Sequence, residues 1–206
     1  MRKCDASRFE VKGQYYSLDN IPCRRLLEIR DRSVIKEEPD LFVVMMNPGS
    51  SQPENTADND SDALTRAVYD DTQTQIMRVM DAFDYDFARV VNLSDMRAPK
   101  SKDLQNFLRT EQAKQIPHSI FYTSRKEELQ SLLPKYSTYI VAWGVHYTLR
   151  PYAQKALAEL AGQKIYGWKR PRGAEWDYYH PLPPNAHLQE KWLSTIVSQI
   201  KQGQAL

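Results

Sequence analysis

Two short segments far apart in the chain carry side chains able to act on a polarised bond: Asn47-Pro48-Gly49 and His180-Pro181. An asparagine oxygen can hold a water by accepting its hydrogen bond, and an imidazole can donate to developing negative charge near neutral pH. Pro48 fixes its own φ and Gly49 permits a positive one, so the first segment is a turn. Asn92 adds a second carboxamide, with a donor and an acceptor suited to reading the polar edge of a ring. Taken singly, each of these is common. Their meaning depends on whether the fold brings them together.

The elements that must do so are legible as apolar runs. Leu41–Met46, Ala88–Val91 and Tyr139–Trp143 are short, with apolar residues in succession, the pattern of strands covered on both faces. Trp176–Tyr179 is expected to supply a fourth. Helical stripes lie between and after them: Ile76, Val79, Met80 and Phe83; Leu149, Tyr152, Ala153, Ala156, Leu157 and Leu160; Leu188, Trp192, Leu193, Ile196 and Ile200. A shorter helix around residues 126–133 ends before Pro134. Cys23–Arg30 is ambiguous between helix and strand and leans towards an extra edge strand.

Strands alternating with helices imply an α/β fold, here a three-layer α/β/α sandwich around a central, mainly parallel four-stranded sheet. Residues 1–206 read as one domain, with a core at about 40–200 and residues 1–39 as an N-terminal extension packing on it. In such sheets ligands bind beyond the carboxyl ends of the strands. Asn47-Pro48-Gly49, Asn92, Gly144 and His180-Pro181 each follow an apolar run and are expected at one rim. Ser50–Asp62 is polar, contains Pro53, and is expected to be an exposed, mobile loop beside that rim.

Composition excludes several classes. The 206 residues are 41% apolar and 26% charged, ordinary for a soluble globular chain. No apolar run approaches the ~20 residues of a membrane helix, and Met1-Arg2-Lys3-Cys4-Asp5 lacks a signal peptide's apolar stretch, so a cytoplasmic protein is expected. Two cysteines, Cys4 and Cys23, are too few for a disulfide framework and read as reduced thiols. The histidines at 118, 146, 180 and 187 show no ligand spacing, so neither a metal nor a cofactor is expected. A G-x-G-x-x-G after a strand, a Walker loop and a G-x-S-x-G elbow are all missing from the sequence.

Net charge is only +2, but its distribution is uneven. Glu54 to Asp86 holds nine acidic and two basic residues, Arg97 to Lys126 seven basic and two acidic, and Lys164 to Arg172 four basic and none acidic. Such a chain can present a locally positive face to a phosphate backbone, although solvated surfaces give the same pattern.

Together and in order, these pieces resemble the uracil-DNA glycosylase superfamily. VVMMNPGSS (43–51) is similar to its first motif in the Met-Asn-Pro-Gly form, and VVNL (90–93) to the strand exit presenting a base-reading asparagine. YIVAWGVHYTLRPYAQKAL (139–157) is similar to its Trp-Gly strand and following helix, and HPLPPNAHLQEKW (180–192) to its second motif. The chain also resembles a family of bacterial and phage-type proteins of unassigned activity that share this core.

The resemblance implies a monofunctional DNA glycosylase that flips a pyrimidine from the stack and hydrolyses its N-glycosidic bond. Asn47 would hold the water and His180 would donate to the base as negative charge grows on it. Met46, Pro48, Gly49, Tyr69 and Asn92 would bind the base, Tyr69 by stacking. Leu182, Pro183, Pro184 and Asn185 would form the wedge, and Lys169, Arg170 and Arg172 would contact phosphates.

Two departures bear on chemistry. Asn47 stands where the most active branch has an aspartate, so general-base help would have to come from elsewhere, for example Asp70 or Asp71. Gly49 stands where the uracil-strict branch blocks the pyrimidine C5 position, so thymine-type or 5-modified bases are expected to fit. No lysine occupies a motif position, which argues against a Schiff-base lyase. The expected partner is DNA, double- or single-stranded, with the chain a monomer. Alternatives are a nucleic-acid-binding or sensing protein on the same fold, or an enzyme acting on free nucleosides or nucleotides.

Overall fold

The structure, a computed structural model, describes residues 5–204. The three apolar runs form β3 (Leu41–Met45), β6 (Phe87–Asn92) and β7 (Thr138–Ala142). Every residue of β3 is buried. Leu41, Val43 and Met45 pack in one cluster with residues of α1 (Asp71–Ala82) and α6 (Ala186–Gln204). Phe42 and Val44 face the opposite cluster, which takes in α2 (Ser101–Phe107), α3 (Glu111–Gln115), α4 (Lys126–Leu132) and α5 (Arg150–Glu159). Helices therefore cover both faces, and the fold is α/β.

The sheet differs from the expectation. Its eight strands run β4-β5-β1-β2-β6-β3-β7-β8, with β1 at Phe9–Leu18, β2 at Ile21–Asp31, β4 at Gln52–Pro53, β5 at Leu64–Val68 and β8 at Ile165–Tyr166. Only β6-β3-β7-β8 are mutually parallel; the pairings β4·β5, β5·β1, β1·β2 and β2·β6 are antiparallel. A central, mainly parallel four-stranded sheet is therefore not what the chain builds.

The difference originates in residues 9–31, expected as an extension and in fact two long strands. Along β1, buried and half-buried residues alternate from Phe9 to Tyr16, a strand period. Asp19 and Asn20 both adopt positive φ, 55° and 64°, the two-residue turn that matches the twist of a hairpin. Cys23–Arg30 is not an edge, because β2 lies between β1 and β6. Trp176–Tyr179 is not a strand either: Tyr178 makes single bridges to Gly144 and Lys169, and the place beside β7 belongs to β8.

Local signals explain the helices that position the site. Asp70 caps α1 in a reciprocal box with Gln73, while Ile76, Val79 and Met80 are buried and Phe83 ends the helix. Pro151 sits in the first turn of α5, where its missing N–H costs nothing. Trp192, Leu193, Ile196 and Ile200 form the buried stripe of α6. Neither α2 nor α3 has enough turns to show a period, and both escaped the sequence reading.

Residues 50–62 are mostly exposed but anchored. The Ser17 N–H donates to Asp60 Oδ1 at 2.8 Å. Arg97 donates to the Ser51 carbonyl and to Asn59 Oδ1, each at 2.7 Å. Among the described residues, no helix is long and apolar enough to cross a membrane, and no group of three potential metal ligands occurs. Cys23 is buried, which pushes its thiol up to about 12; Cys4 lies outside the described residues.

Candidate active site

A cleft of about 640 Å³ opens at the carboxyl ends of β3 and β7. Asn47, Pro48 and Gly49 enter it directly from β3, and Trp143 to His146 from β7. His180 arrives without a strand of its own. The Gly144 N–H donates to the Tyr178 carbonyl at 2.8 Å, which draws the chain before His180 against the end of β7. The N-terminus of α1, Asp70 to Gln73, closes another side.

The Asn47 side chain has a fixed orientation. Its Nδ2 donates to the Ala98 carbonyl at 2.9 Å and the Met96 carbonyl at 3.3 Å, contacts that only the amide nitrogen can make. Among the described residues no protein group donates to Oδ1, so this acceptor remains available to a water.

His180 is equally constrained. Its Nδ1 accepts the Leu182 N–H at 3.2 Å, which leaves the ring proton on Nε2. Burial pushes its pKa down to about 4, with the charge of Asp70 opposing more weakly. A neutral imidazole with a fixed Nε2–H is a hydrogen-bond donor across the physiological range.

Met46, Pro48 and Gly49 line the cleft as expected. Gly49 has φ 63°, and a Cβ there would meet only Asp70 Oδ2, at 3.8 Å, within 4 Å. The turn needs glycine and the space beside it is open. Leu182, Pro183 and Pro184 also line the cleft. Asn185 does not: its Oδ1 accepts the His187 N–H at 2.8 Å and caps the start of α6.

Other expected residues lie elsewhere. Lys169, Arg170 and Arg172 are exposed on the loop between Trp168 and Tyr179, outside the cleft lining. Tyr69 is exposed and off the cleft wall, where Trp143, Tyr179 and His146 supply the rings instead. Asn92 is fully buried beside Met45 in the parallel ladder, and among the described residues neither polar atom of its side chain has a partner. It does not line the cleft.

His146, Ser101 and Gln105 are cleft residues that sequence reasoning did not assign, while Asp70 and Asp71, named from the sequence as substitutes for a motif base, line the cleft too. For Asp70 a signal existed, since Asp70-Asp71-Thr72-Gln73 has the spacing of a capping box before an apolar stripe. Oδ1 of Asp70 accepts the N–H groups of Thr72 and Gln73, at 2.8 and 3.1 Å. Arg24 carried no signal. It is fully buried, opposite Tyr15 in the β1–β2 ladder, and none of its guanidinium nitrogens has a partner among the described residues.

The sequence profile of the family described as "Protein of unknown function (DUF1643)" matches residues 29–182, which span β3, the cleft and His180. No curated protein and no solved structure matches the chain significantly.

Proposed function

We propose that this chain, which belongs to the DUF1643 family, is a monofunctional DNA glycosylase that hydrolyses the N-glycosidic bond of a flipped-out pyrimidine. One observation carries the reading: Asn47 and His180, from turns distant in sequence, line one cleft with complementary free atoms, an acceptor on Oδ1 and a donor on Nε2. The water binds Asn47 Oδ1 below the sugar. The bond to the base breaks as positive charge grows on the sugar, and the neutral His180 donates to the base oxygen that gains electron density. The parallel strands β6-β3-β7-β8 with helices on both faces support a uracil-DNA glycosylase-like core.

The open space at Gly49 and the size of the cleft support pyrimidines substituted at C5 as well as uracil. In this reading the partner is DNA, one copy of the chain suffices, and the reaction needs no metal or cofactor. Oligonucleotides bearing uracil, mismatched thymine and 5-modified pyrimidines, incubated with protein and then with alkali, break only where a base has been removed. Breaks from the wild-type chain that fall at least ~100-fold in Asn47→Ala and His180→Ala support the reading. No break on any substrate rejects it.

A second reading, hydrolysis of free nucleosides, is favoured by the position of Lys169, Arg170 and Arg172 outside the cleft lining. Base release from nucleosides but not from oligonucleotides would establish it.

A further inference from the structure

We propose that Asp70 is a catalytic residue of this cleft, the base that takes the proton of the attacking water; this rests on the hydrolytic reading of Asn47 and His180. An asparagine positions water but cannot accept its proton, and Asp70 is a carboxylate on the cleft wall close to the Asn47 turn. Its two oxygens are differently engaged. Oδ1 is held by the N–H groups of Thr72 and Gln73, while Oδ2 accepts no hydrogen bond from the described residues and lies 3.8 Å from where a Gly49 Cβ would stand. The capping box thus orients one oxygen and leaves the other towards the turn that carries Asn47.

A second observation lies behind the wall. Arg24 pairs with Tyr15, directly opposite residues of an antiparallel ladder share a face, and Tyr15 packs in the α1 cluster, so Arg24 is on the Asp70 side of the sheet. Among the described residues its wholly buried guanidinium has no hydrogen-bond partner, a costly arrangement, and the charges of Asp70 and Asp95 act on it favourably.

In the step, the C1′–N bond breaks and its electron pair leaves on the base, which His180 holds. The water oxygen forms a bond to C1′, and the water's proton passes to Asp70 Oδ2. The departing base anion takes a proton from solvent and Asp70 returns its own there, so charge and atoms balance.

The test uses the full chain and the uracil and 5-modified oligonucleotides above. Asparagine and glycine both serve as N-caps, so Asp70→Asn and Asp70→Gly keep the fold, as thermal unfolding checks. The expected result is a loss of at least ~100-fold in single-turnover base release with unchanged DNA binding, and partial recovery of Asp70→Gly in formate. Wild-type rates in Asp70→Asn overturn the assignment alone, and a loss without formate rescue overturns it in favour of a structural role. A wild-type chain that releases no base overturns it together with the glycosylase reading.

Discussion

The two halves of the sheet divide the work of the molecule. In the parallel half, β3 and β7 end at one rim, and the turns that follow meet in the cleft. In the antiparallel half, β1 and β2 lie on the far side of β6 from β3 and contribute no residue to the cleft lining. They contribute packing and buried polar groups instead: Tyr15 bonded to Ser51 Oγ at 3.0 Å, and Arg24 without a partner among the described residues. Parallel strands exit on the same side and so gather loops, whereas a hairpin sends consecutive exits to opposite ends.

That division is open to dissection. Asn47→Ala and His180→Ala, at the parallel rim, are expected to lower base release by two to three orders of magnitude, about 3–4 kcal/mol in the barrier, while urea midpoints move little. Leu27→Ala, at a fully buried position of β2, should do the reverse. Its expected cost is about 2–5 kcal/mol of stability, with base release per folded molecule retained. Equal effects of the two kinds of substitution on rate and stability would erase the distinction.

Acid should act on the parallel side through two histidines. Burial lowers both His118 and His180 to about 4. With a folded pKa below the unfolded value near 6.5, the unfolded chain binds more protons, so stability falls as pH drops from about 6.5 to about 4 and is unaffected above that window. His118 alone, fully buried against Ser94 Oγ at 2.9 Å, is expected to contribute about 3 kcal/mol of that loss. NMR titration of the two imidazoles measures it, and ordinary values near 6.5 would remove the burial argument for both rings. Gly49→Ala is the smallest of these perturbations. At φ 63° an alanine should cost about 1–2 kcal/mol, and its methyl should reduce release of 5-substituted bases more than of uracil.

The same division explains what could be read from the residues. Parallel strands buried on both faces announce themselves as continuous apolar runs, and residues 41–46, 88–91 and 139–143 all gave strands within a residue or two. The hairpin was hidden because its signals are weaker: Cys23–Arg30 mixes arginines with leucines, and Asp19-Asn20 lacks the glycine that marks such turns most strongly. His180 reached the expected rim although its expected strand does not exist, because backbone bonds to Gly144 and Trp168 do the strand's job. Asn92 illustrates the opposite outcome. Its place after an apolar run is as expected, but it lies inside β6 and points into the buried layer, and strand alternation cannot be settled without the register.

Both margins of the sheet are stubs, β4 and β8 having two residues each, and β4 includes Pro53, which offers no N–H. Each of these terminal strands thus offers a neighbouring polypeptide almost no ladder of its own to extend. The two outermost strands are poor templates for runaway cross-β growth.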